Sequence, residues 1–398
     1  MVPGSSKKKR DTEKSTEKSP VSELSDDLLV EIMSLLPYKS TCCCKCVSRR
    51  WRDLVSHPDH RKKLPQSTLA GFFFETYDIA THQGSRERCD ITSHQGSRRY
   101  QSVSGNWCPR INASLSFLPK CERLDIMDCC NGLLLCRCWK SSDGKMMDYV
   151  VCNPATEKWV VVPATNWSSK LWAIRLGFDP AVSSHFHVFE FVHAFVLDAA
   201  DRRRDIEVVG VYSSKAGVWT HESTRNLLVD IYFFSPSVFF GGVMYLSSYD
   251  NLVIAVDMEG KCKVIHTPTP RDGCGAFDIS LSQGRVYLAN HGDSEVSIWA
   301  LDDSSTGKWA LKNRVSHLQL FEKEYPSTHD YNVIIHPEDN AIIVLCLQLH
   351  MGGQSLTKVL SYNMDSRELH FMSDLGWYCR IPYLSYVPLF SESLADAH

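Results

Sequence analysis

The sequence contains no long apolar run. Its most apolar stretch, FHVFEFVHAFVL, is interrupted by His187, Glu190 and His193, and it falls short of the roughly 20 apolar residues that a membrane-spanning helix requires. Residues 1–20 contain a basic cluster without the apolar segment of a secretory signal. The formal net charge is only −3, so the chain as a whole does not attract nucleic acid or an acidic membrane surface. We therefore expect a protein of the cytoplasm or nucleus that binds neither membranes nor nucleic acid.

Sequence signatures of catalysis are also absent. The chain has no G-x-S-x-G nucleophile elbow, no phosphate-binding G-x-x-x-x-G-K-[ST] loop and no H-E-x-x-H zinc-protease motif. Asp302 and Asp303 are adjacent carboxylates in a turn, where aspartate is favoured for its backbone hydrogen bonds. His185 and His187 alternate along a strand and can face one pocket, although histidines at a strand edge are more often structural. We predict no catalytic residue and no cofactor.

Cysteine is abundant, but it lacks the spacing of a metal site. Four of the 16 cysteines fall in KSTCCCKCVSRRW, at Cys42, Cys43, Cys44 and Cys46. A structural zinc site needs two suitably spaced ligand pairs, and Cys43 to Cys46 is the only CxxC in the sequence. At helical spacing Cys42, Cys43, Cys46 and Val47 share one arc, so we expect these cysteines to pack as small apolar residues. We predict no metal and, for an intracellular protein, reduced thiols.

Residues 21–64 have the pattern of short amphipathic helices. Ser25 is placed to cap a helix whose first residues, Asp26 and Asp27, suit the positive end of the helix dipole. Apolar residues then recur at helical spacing until Pro37 stops the helix. These residues are Leu28, Leu29, Ile32, Met33, Leu35 and Leu36.

Two further helices are predicted in the same segment. One starts near Ser40 or Thr41, and the other carries Trp51, Leu54 and Val55. Three helices in so short a segment bury little apolar surface on their own. We therefore expect an exposed patch, formed by Leu28, Leu29, Leu35 and Leu36, that a helical partner covers.

From about residue 110 to residue 390 the apolar period becomes that of β-strands. Runs of β-branched and aromatic residues are separated by polar turns, as in β-hairpins. The hairpins are YVVCNPATEKWVVVP, IEVVGVYSSKAGVWTHES, LVIAVDMEGKCKVIHTP, SIWALDDSSTGKWALKN and KVLSYNMDSRELHFMS, and further strands are GGVMYLSSY, GRVYLANH and NAIIVLCLQL. Trp159, Trp219, Val264 and Trp309 recur every 45 or 60 residues, roughly the length of a four-stranded propeller blade. The pattern predicts an all-β domain, a β-propeller of six to eight blades, with a large β-sandwich as the alternative.

Three segments flank or join these domains. Residues 1–20 are polar and charged and are expected to be disordered; in them, Lys7, Lys8, Lys9 and Arg10 form either a nuclear-import signal or an ordinary charged tail. Residues 65–109 are predicted to be a linker with a polar loop, because they contain the short duplication THQGSRERCDI and SHQGSRRYQS. Residues 391–398 are assigned to a C-terminal tail. The fold class expected is therefore an α+β multidomain protein.

The N-terminal helices resemble the F-box. LSDDLLVEIMSLLPYKSTCCCKCVSRRWRDLVSHP has the leucine-rich first helix of that motif ending in Leu-Pro, its Lys-Ser step, its Cys-Val second helix and its Trp-Arg-x-Leu third helix. Positions that match are Leu24, Leu28, Leu29, Ile32, Leu35, Leu36, Pro37, Ser40, Cys46, Val47, Trp51 and Leu54. Ser25 departs from the family, which usually has proline there, and so do Cys42, Cys43 and Cys44.

The downstream half resembles the F-box-associated β domains that are abundant in plants. CNGLLLC (residues 130–136), VCNPATEKWVVVP (residues 151–163) and LGFDP (residues 176–180) follow that family's sequence in its order. The later strands match only by their pattern. Together the two resemblances cover most of the chain.

These resemblances imply the substrate-recognition subunit of an SCF-type cullin–RING ubiquitin ligase, not itself an enzyme. The F-box is then expected to bind a Skp-type adaptor and, through it, the cullin and RING subunits, while the β domain binds an unknown protein substrate. The residues implied in adaptor binding are Leu24, Leu28, Leu29, Ile32, Leu35, Leu36, Pro37, Ser40, Cys46, Val47 and Trp51. The alternative is a propeller that acts outside the ligase as a scaffold, a sugar-binding protein or an enzyme. Its signature is a polar pocket on the propeller axis lined by paired carboxylates or histidines.

Overall fold

The structure is a computed structural model of the 398-residue chain. It describes residues 20–36, 38–57, 60, 63–64, 69–76, 97–103, 111–141, 146–168, 171–193, 206–224, 229, 231, 237–248, 251–268, 277–321, 331–337, 341–349, 355–377 and 379–390. The chain divides into two compact units, Met1–Gln66 and Ser67–His398. The described residues do not include Lys7 to Arg10 or the C-terminal tail. They include only the last part of the short duplication, from residue 97 onward.

The first unit is helical. It contains a 3₁₀ helix (Pro20–Glu23), α1 (Asp26–Ser34), α2 (Tyr38–Cys44) and α3 (Arg49–Ser56). Ser25 caps α1 as predicted, because its Oγ accepts a 3.3 Å hydrogen bond from the backbone N–H of Leu28. Ser48 caps α3 in the same way through the N–H of Trp51, at 3.2 Å. Helix α2 begins at Tyr38, earlier than the predicted start near Ser40 or Thr41.

A small core joins the three helices. Its buried members are Leu29, Val30, Met33, Cys44, Leu54, Val55 and Leu64. Thr41 of α2 is also buried, and its hydroxyl donates a 3.2 Å hydrogen bond to the carbonyl oxygen of Met33 in α1. That bond satisfies one of the carbonyls that the C-terminal end of α1 leaves without a helical partner.

The second unit is built almost entirely of antiparallel strands. Its elements are β1 (Gly71–Thr76), β2 (Ser97–Ser102), β3 (Arg123–Cys130), β4 (Leu133–Trp139), β5 (Met147–Asn153), β6 (Lys158–Val162), β7 (Leu171–Gly177), β8 (His187–His193), β9 (Ile206–Ser213), β10 (Val218–Ser223), β11 (Ser237–Phe240), β12 (Val243–Ser247), β13 (Leu252–Asp257), β14 (Cys262–His266), β15 (Phe277–Ser282), β16 (Arg285–His291), β17 (Glu295–Asp303), β18 (Lys308–Ser316), α4 (His317–Phe321), β19 (Tyr331–Ile335), β20 (Ala341–Leu349), β21 (Ser355–Asn363), β22 (Leu369–Trp377) and β23 (Cys379–Tyr386). Within the described residues, no helix is long and apolar enough to cross a bilayer.

The strands form six sheets that are the blades of a six-bladed β-propeller. Five blades are consecutive four-stranded meanders: β3–β6, β7–β10, β11–β14, β15–β18 and β19–β22. The innermost strands β3, β7, β11 and β15 contact one another in turn around the axis, and β19 and β23 extend this ring. The sixth blade closes the ring, because β23 from the C-terminal end pairs with β1, which pairs with β2. The sequence therefore predicted the propeller correctly, and the β-sandwich alternative is wrong.

The closing blade also corrects the expected linker at residues 65–109. Strands β1 and β2 both come from this segment. Phe72, Phe73 and Phe74 of β1 are almost completely buried, so they supply apolar surface that a linker does not need. Joining the first and last strands in one blade links the two ends of the chain and so closes the ring of blades.

The predicted hairpins are confirmed as the third and fourth strands of their blades. Trp159, Trp219 and Trp309 each occupy the second position of an outer strand. Val264 lies one position further along its strand, at its third residue, and is not equivalent.

Four of the hairpin turns share one local hydrogen bond. The side-chain oxygen at the start of the turn accepts a hydrogen bond from the backbone N–H two residues later, which fixes the turn as an Asx-turn. The pairs are Asn153 with Ala155, Asp257 with Glu259, Asp303 with Ser305 and Asn363 with Asp365, at 2.8–3.0 Å. Of the two adjacent carboxylates singled out above, Asp303 therefore fixes a structural turn, and Asp302 forms ion pairs with Arg285 and Lys312.

A disulfide fastens the start of the first consecutive blade. Cys121 lies just before β3 and Cys138 lies on β4, and their Cα atoms are 5.5 Å apart. The expectation that every thiol stays reduced is wrong for this pair. Sequence spacing gave no sign of it, because the two residues meet only when β3 and β4 pair.

Candidate functional site

Helix α1 has two apolar faces. Leu29, Val30 and Met33 face the core of the helical unit. Leu28, Ile32 and Leu35 follow the spacing i, i+4, i+7 and share the other face. They are exposed by 48%, 46% and 82% of their surface. We call these three residues the α1 stripe. Because aliphatic surface of this extent is unfavourable in water, the stripe is suited to a partner.

The structure places the other predicted adaptor-binding residues in different surroundings. Cys46, Val47 and Ser40 are exposed, with Val47 at 64%. Leu24, Leu36 and Trp51 are half-buried and pack against the core. Pro37 lies outside the described residues.

The expected exposed patch of four leucines is wrong for Leu29. Its side chain is only 1% exposed, so it belongs to the core and not to the surface. Adjacent residues of a helix point about 100° apart, and Leu28 and Leu29 consequently face opposite environments.

The cysteine cluster also differs from the predicted arc. Cys44 is buried, and Cys43 and Cys46 are exposed. The Cys42 side chain lies outside the described part of the structure. Burial, and next the neighbouring Cys43, raise the pKa of the Cys44 thiol. The predicted arc assumed that the helix continued through Val47, whereas α2 ends at Cys44. No three His, Cys, Asp or Glu side chains in the described part of the chain are grouped closely enough to hold a metal ion.

Arg50 connects α3 to the beginning of α1. Its guanidinium forms an ion pair with Asp26 at 2.7 Å and donates a hydrogen bond to the carbonyl oxygen of Leu24. A shallow groove of about 520 Å³ is lined beside it by Asp53, Leu54, His57 and His60 together with Asp26 and Arg50. The ion pair holds the two helices in register, since it joins residues 24 positions apart in sequence.

Buried carboxylates do occur on the inner strands of the propeller, as the alternative function requires. Asp128 of β3 accepts hydrogen bonds from the backbone N–H of Leu176 at 2.7 Å and from the hydroxyl of Ser237 at 3.1 Å. Burial raises the pKa of the Asp128 carboxyl, and the nearby Arg175 opposes this. These bonds come from the next two blades, so Asp128 acts as a connector between blades.

Asp278 of β15 has the same role on the other side of the ring. It accepts a 2.6 Å hydrogen bond from the backbone N–H of Val333, in the next blade, and its carboxylate lies 3.1 Å from Nε2 of His291. His291 in turn stacks on Tyr331, with ring centroids 4.5 Å apart. Both carboxylates are therefore occupied by structural donors. Their arrangement does not favour the sugar-binding or enzymatic alternative.

A third buried carboxylate anchors the segment between β6 and β7. Glu190 of β8 is fully buried, and it accepts hydrogen bonds from the hydroxyls of Ser168 at 2.5 Å and Thr165 at 2.8 Å. Burial raises the pKa of the Glu190 carboxyl, and these hydrogen bonds oppose the rise. Trp167 lies between the two anchored residues and is 40% exposed. The connection thus presents an aromatic side chain on a fixed backbone.

Sequence reasoning missed a cluster at one end of the β3–β4 pair. Arg123, Asp125, Arg137 and Trp139 meet there. The only available signal was alternation: residues two apart on a strand share a face. Which residues of β3 face those of β4 depends on the register, and the register shifts between Ile126 and Asp128.

Comparison with known proteins gives consistent matches over both units. Residues 21–63 match the F-box domain, and residues 89–378 match the family described as F-box protein At3g26010-like, beta-propeller. Two similar proteins come from Arabidopsis thaliana. F-box protein At5g07610 is 27% identical over 319 residues, covering 73% of this chain and 70% of that protein. Putative F-box/kelch-repeat protein At1g15680 is 24% identical over 351 residues, covering 80% and 78%. The chain belongs to the At3g26010-like family of F-box proteins with a β-propeller.

Proposed function

We propose that this protein is the substrate-recognition subunit of an SCF-type ubiquitin ligase. The F-box domain implies binding to a Skp-type adaptor. The observation that carries the proposal is the α1 stripe, because its three aliphatic side chains are exposed while the other apolar residues of the helix are buried in its own core. The helical unit α1–α3 is the proposed F-box, and the adaptor links it to the cullin and RING subunits.

The β-propeller is the proposed substrate-binding part. Its rigid blades hold connecting segments at fixed positions, as the Glu190 anchor of Thr165 and Ser168 illustrates. The receptor does not perform a chemical step: it holds a substrate lysine near the charged conjugating enzyme and so raises the effective concentration of the two reactants. We place this activity in the cytoplasm or the nucleus.

Capture of the purified adaptor tests the proposal. The variant Ile32→Asp with Leu35→Asp puts two carboxylates on the α1 stripe without touching the core. Val182→Asp is the matched control, since Val182 is 79% exposed in the other unit. We expect wild type and the control to be captured and the double variant to be lost. Equal capture of all three proteins, or of none, contradicts the proposal, provided that circular dichroism shows the same helix content in each.

A further inference from the structure

Arg137 is a half-buried cation that forms no ion pair with the described residues. It lies on β4 between Asp125 of β3 and Tyr149 of β5. Its Nε is buried and has no hydrogen-bond partner, and no ion pair joins its guanidinium to any carboxylate of the described residues. Removing a charged group from water is costly unless a partner of opposite charge compensates it. The position of Arg137 therefore favours an anion that the described residues do not supply.

The nearest carboxylate is already occupied. Asp125 stands directly opposite Arg137 in the β3–β4 register. Its Oδ2 accepts a 2.7 Å hydrogen bond from the indole N–H of Trp139 and a 3.1 Å bond from the guanidinium of Arg123. Asp125 is thus engaged by Arg123 and Trp139, and the two arginines with this one carboxylate leave the cluster with an excess positive charge.

Several cations elsewhere in the described structure have a carboxylate partner. Arg50 pairs with Asp26, and Arg314 pairs with Glu295 at 3.1 Å. Lys140, the residue after Trp139, pairs with Asp148. Arg137 has no such partner among the described residues, although it is more shielded from water than Arg314 or Lys140.

The indole of Trp139 completes the cluster. The Cζ atom of Arg123 lies 4.9 Å from the centre of the Trp139 ring, and that of Arg137 lies 5.5 Å from it. Contact with an aromatic face holds a guanidinium plane in place. Arg123 and Trp139 are the first residue of β3 and the last residue of β4, so the cluster lies at the end of the blade. The Arg123 side chain is 44% exposed, and the cluster can be reached from solvent.

We propose that Arg137, Arg123 and Trp139 bind an acidic side chain of a protein substrate. The anionic group is a carboxylate or a phosphoryl group, because both offer paired oxygens that match the fork of a guanidinium. This inference rests on the proposed function, since it assigns a substrate class to the propeller of the ligase receptor. The recognised segment is an acidic or phosphorylated peptide.

Fluorescence polarisation with three labelled hexapeptides tests the proposal on the full chain. The probes are hexaglutamate, a peptide alternating phosphoserine and glycine, and hexaglutamine. We expect at least one anionic peptide to bind about ten-fold or more tightly than hexaglutamine, and Arg137→Met to reduce that affinity by about the same factor. Methionine keeps an unbranched apolar stem in place of the arginine stem, so the blade retains most of its packing.

Arg314→Met is the matched control, because it removes the same charge from an exposed strand of another blade. It is expected to change the affinity by less than about two-fold. Equal losses in the two variants indicate attraction by overall charge and overturn the proposal, as does equal binding of all three peptides to wild type. If Arg137→Met fails to fold, Arg137→Lys replaces it; the proposal then requires weaker anion binding, since lysine cannot form the bidentate pair.

Adaptor capture separates this inference from the proposed function. Arg137→Met is expected to bind the adaptor as wild type does, because Arg137 is in the propeller. If wild type binds the adaptor but binds no anionic peptide more tightly than hexaglutamine, only the acidic-peptide site is refuted. Loss of adaptor capture by wild type refutes the ligase role and leaves the peptide result to stand on its own.

Discussion

The indole N–H of Trp309 donates a 2.9 Å hydrogen bond to the carbonyl oxygen of His266, across the boundary between two blades. Trp219 makes the same contact with the carbonyl of Pro163, also at 2.9 Å. In both cases the second residue of one outer strand is fastened to the end of the preceding outer strand. Trp219 and Trp309, two of the tryptophans that mark the repeat in the sequence, are thus connectors between blades.

Replacing Trp309 with phenylalanine tests this connection. The ring remains but the hydrogen bond is lost, so the free energy of unfolding is expected to fall by about 1 kcal/mol. Urea unfolding followed by circular dichroism measures the change. Trp167→Phe is the control, since the Trp167 indole makes no hydrogen bond within the described residues. Equal stability of Trp309→Phe and wild type contradicts the proposed role.

The disulfide gives a second prediction. Cys121 and Cys138 close a loop of 17 residues, and closing a loop of this length stabilises a protein by about 3 kcal/mol, chiefly through the unfolded state. Cys121→Ser, or a reducing agent, is therefore expected to lower the melting temperature of the propeller. Exposed Cys43 supplies the control variant Cys43→Ser. If the reducing agent leaves the melting temperature unchanged, the disulfide does not stabilise the propeller.

Glu190 gives a dependence of stability on pH. Burial raises the pKa of its carboxyl above the ordinary value of 4.5, so the folded state holds the proton more firmly than the unfolded state. The stability from this residue is fully present below about pH 4.5 and is lost as the pH rises through the raised pKa. Between the ordinary and the raised pKa the free energy of unfolding falls by up to about 1.4 kcal/mol per pH unit, and above the raised pKa Glu190 adds no further change with pH.

Glu190→Gln removes this dependence and keeps the side chain's shape. The unfolding free energy of wild type and variant is measured by urea titration at a series of pH values. His221 lies close enough to act on the Glu190 carboxylate, so the difference between the two proteins reports Glu190 together with its interaction with His221. Glu222→Gln, on the exposed outer strand of the same blade, is the control. Parallel pH profiles for wild type and Glu190→Gln count against the prediction.

The hairpins were predictable because each is local in sequence. In segments such as residues 149–162 the turn chemistry and the alternation of apolar residues lie within 15 positions, and Asn153 and Trp159 mark the turn and the outer strand. The ring of blades followed from the repetition of this unit. No alternation within β1 indicates that it pairs with β23, since that pairing joins the two ends of the propeller.

The candidate sites depended on contacts that sequence does not display. The motif identified the helices of the F-box region, but the division of α1 into a core face and an exposed face is set by where α2 and α3 pack. Arg137 has no recognisable motif. Its unpaired state arises because Asp125 is engaged by Arg123 and Trp139, which only the folded register reveals.

Leu28 and Leu29 give the last prediction, because neighbouring leucines have opposite roles. Leu29→Ala leaves a cavity in the helical core, and the free energy of unfolding of that unit is expected to fall by about 2–5 kcal/mol. Leu28→Ala removes a side chain that is 48% exposed, and stability is expected to change by less than about 0.5 kcal/mol. Adaptor affinity, measured by calorimetry, should fall in Leu28→Ala with the fold intact. If Leu28→Ala binds as wild type does, the α1 stripe is not the adaptor surface.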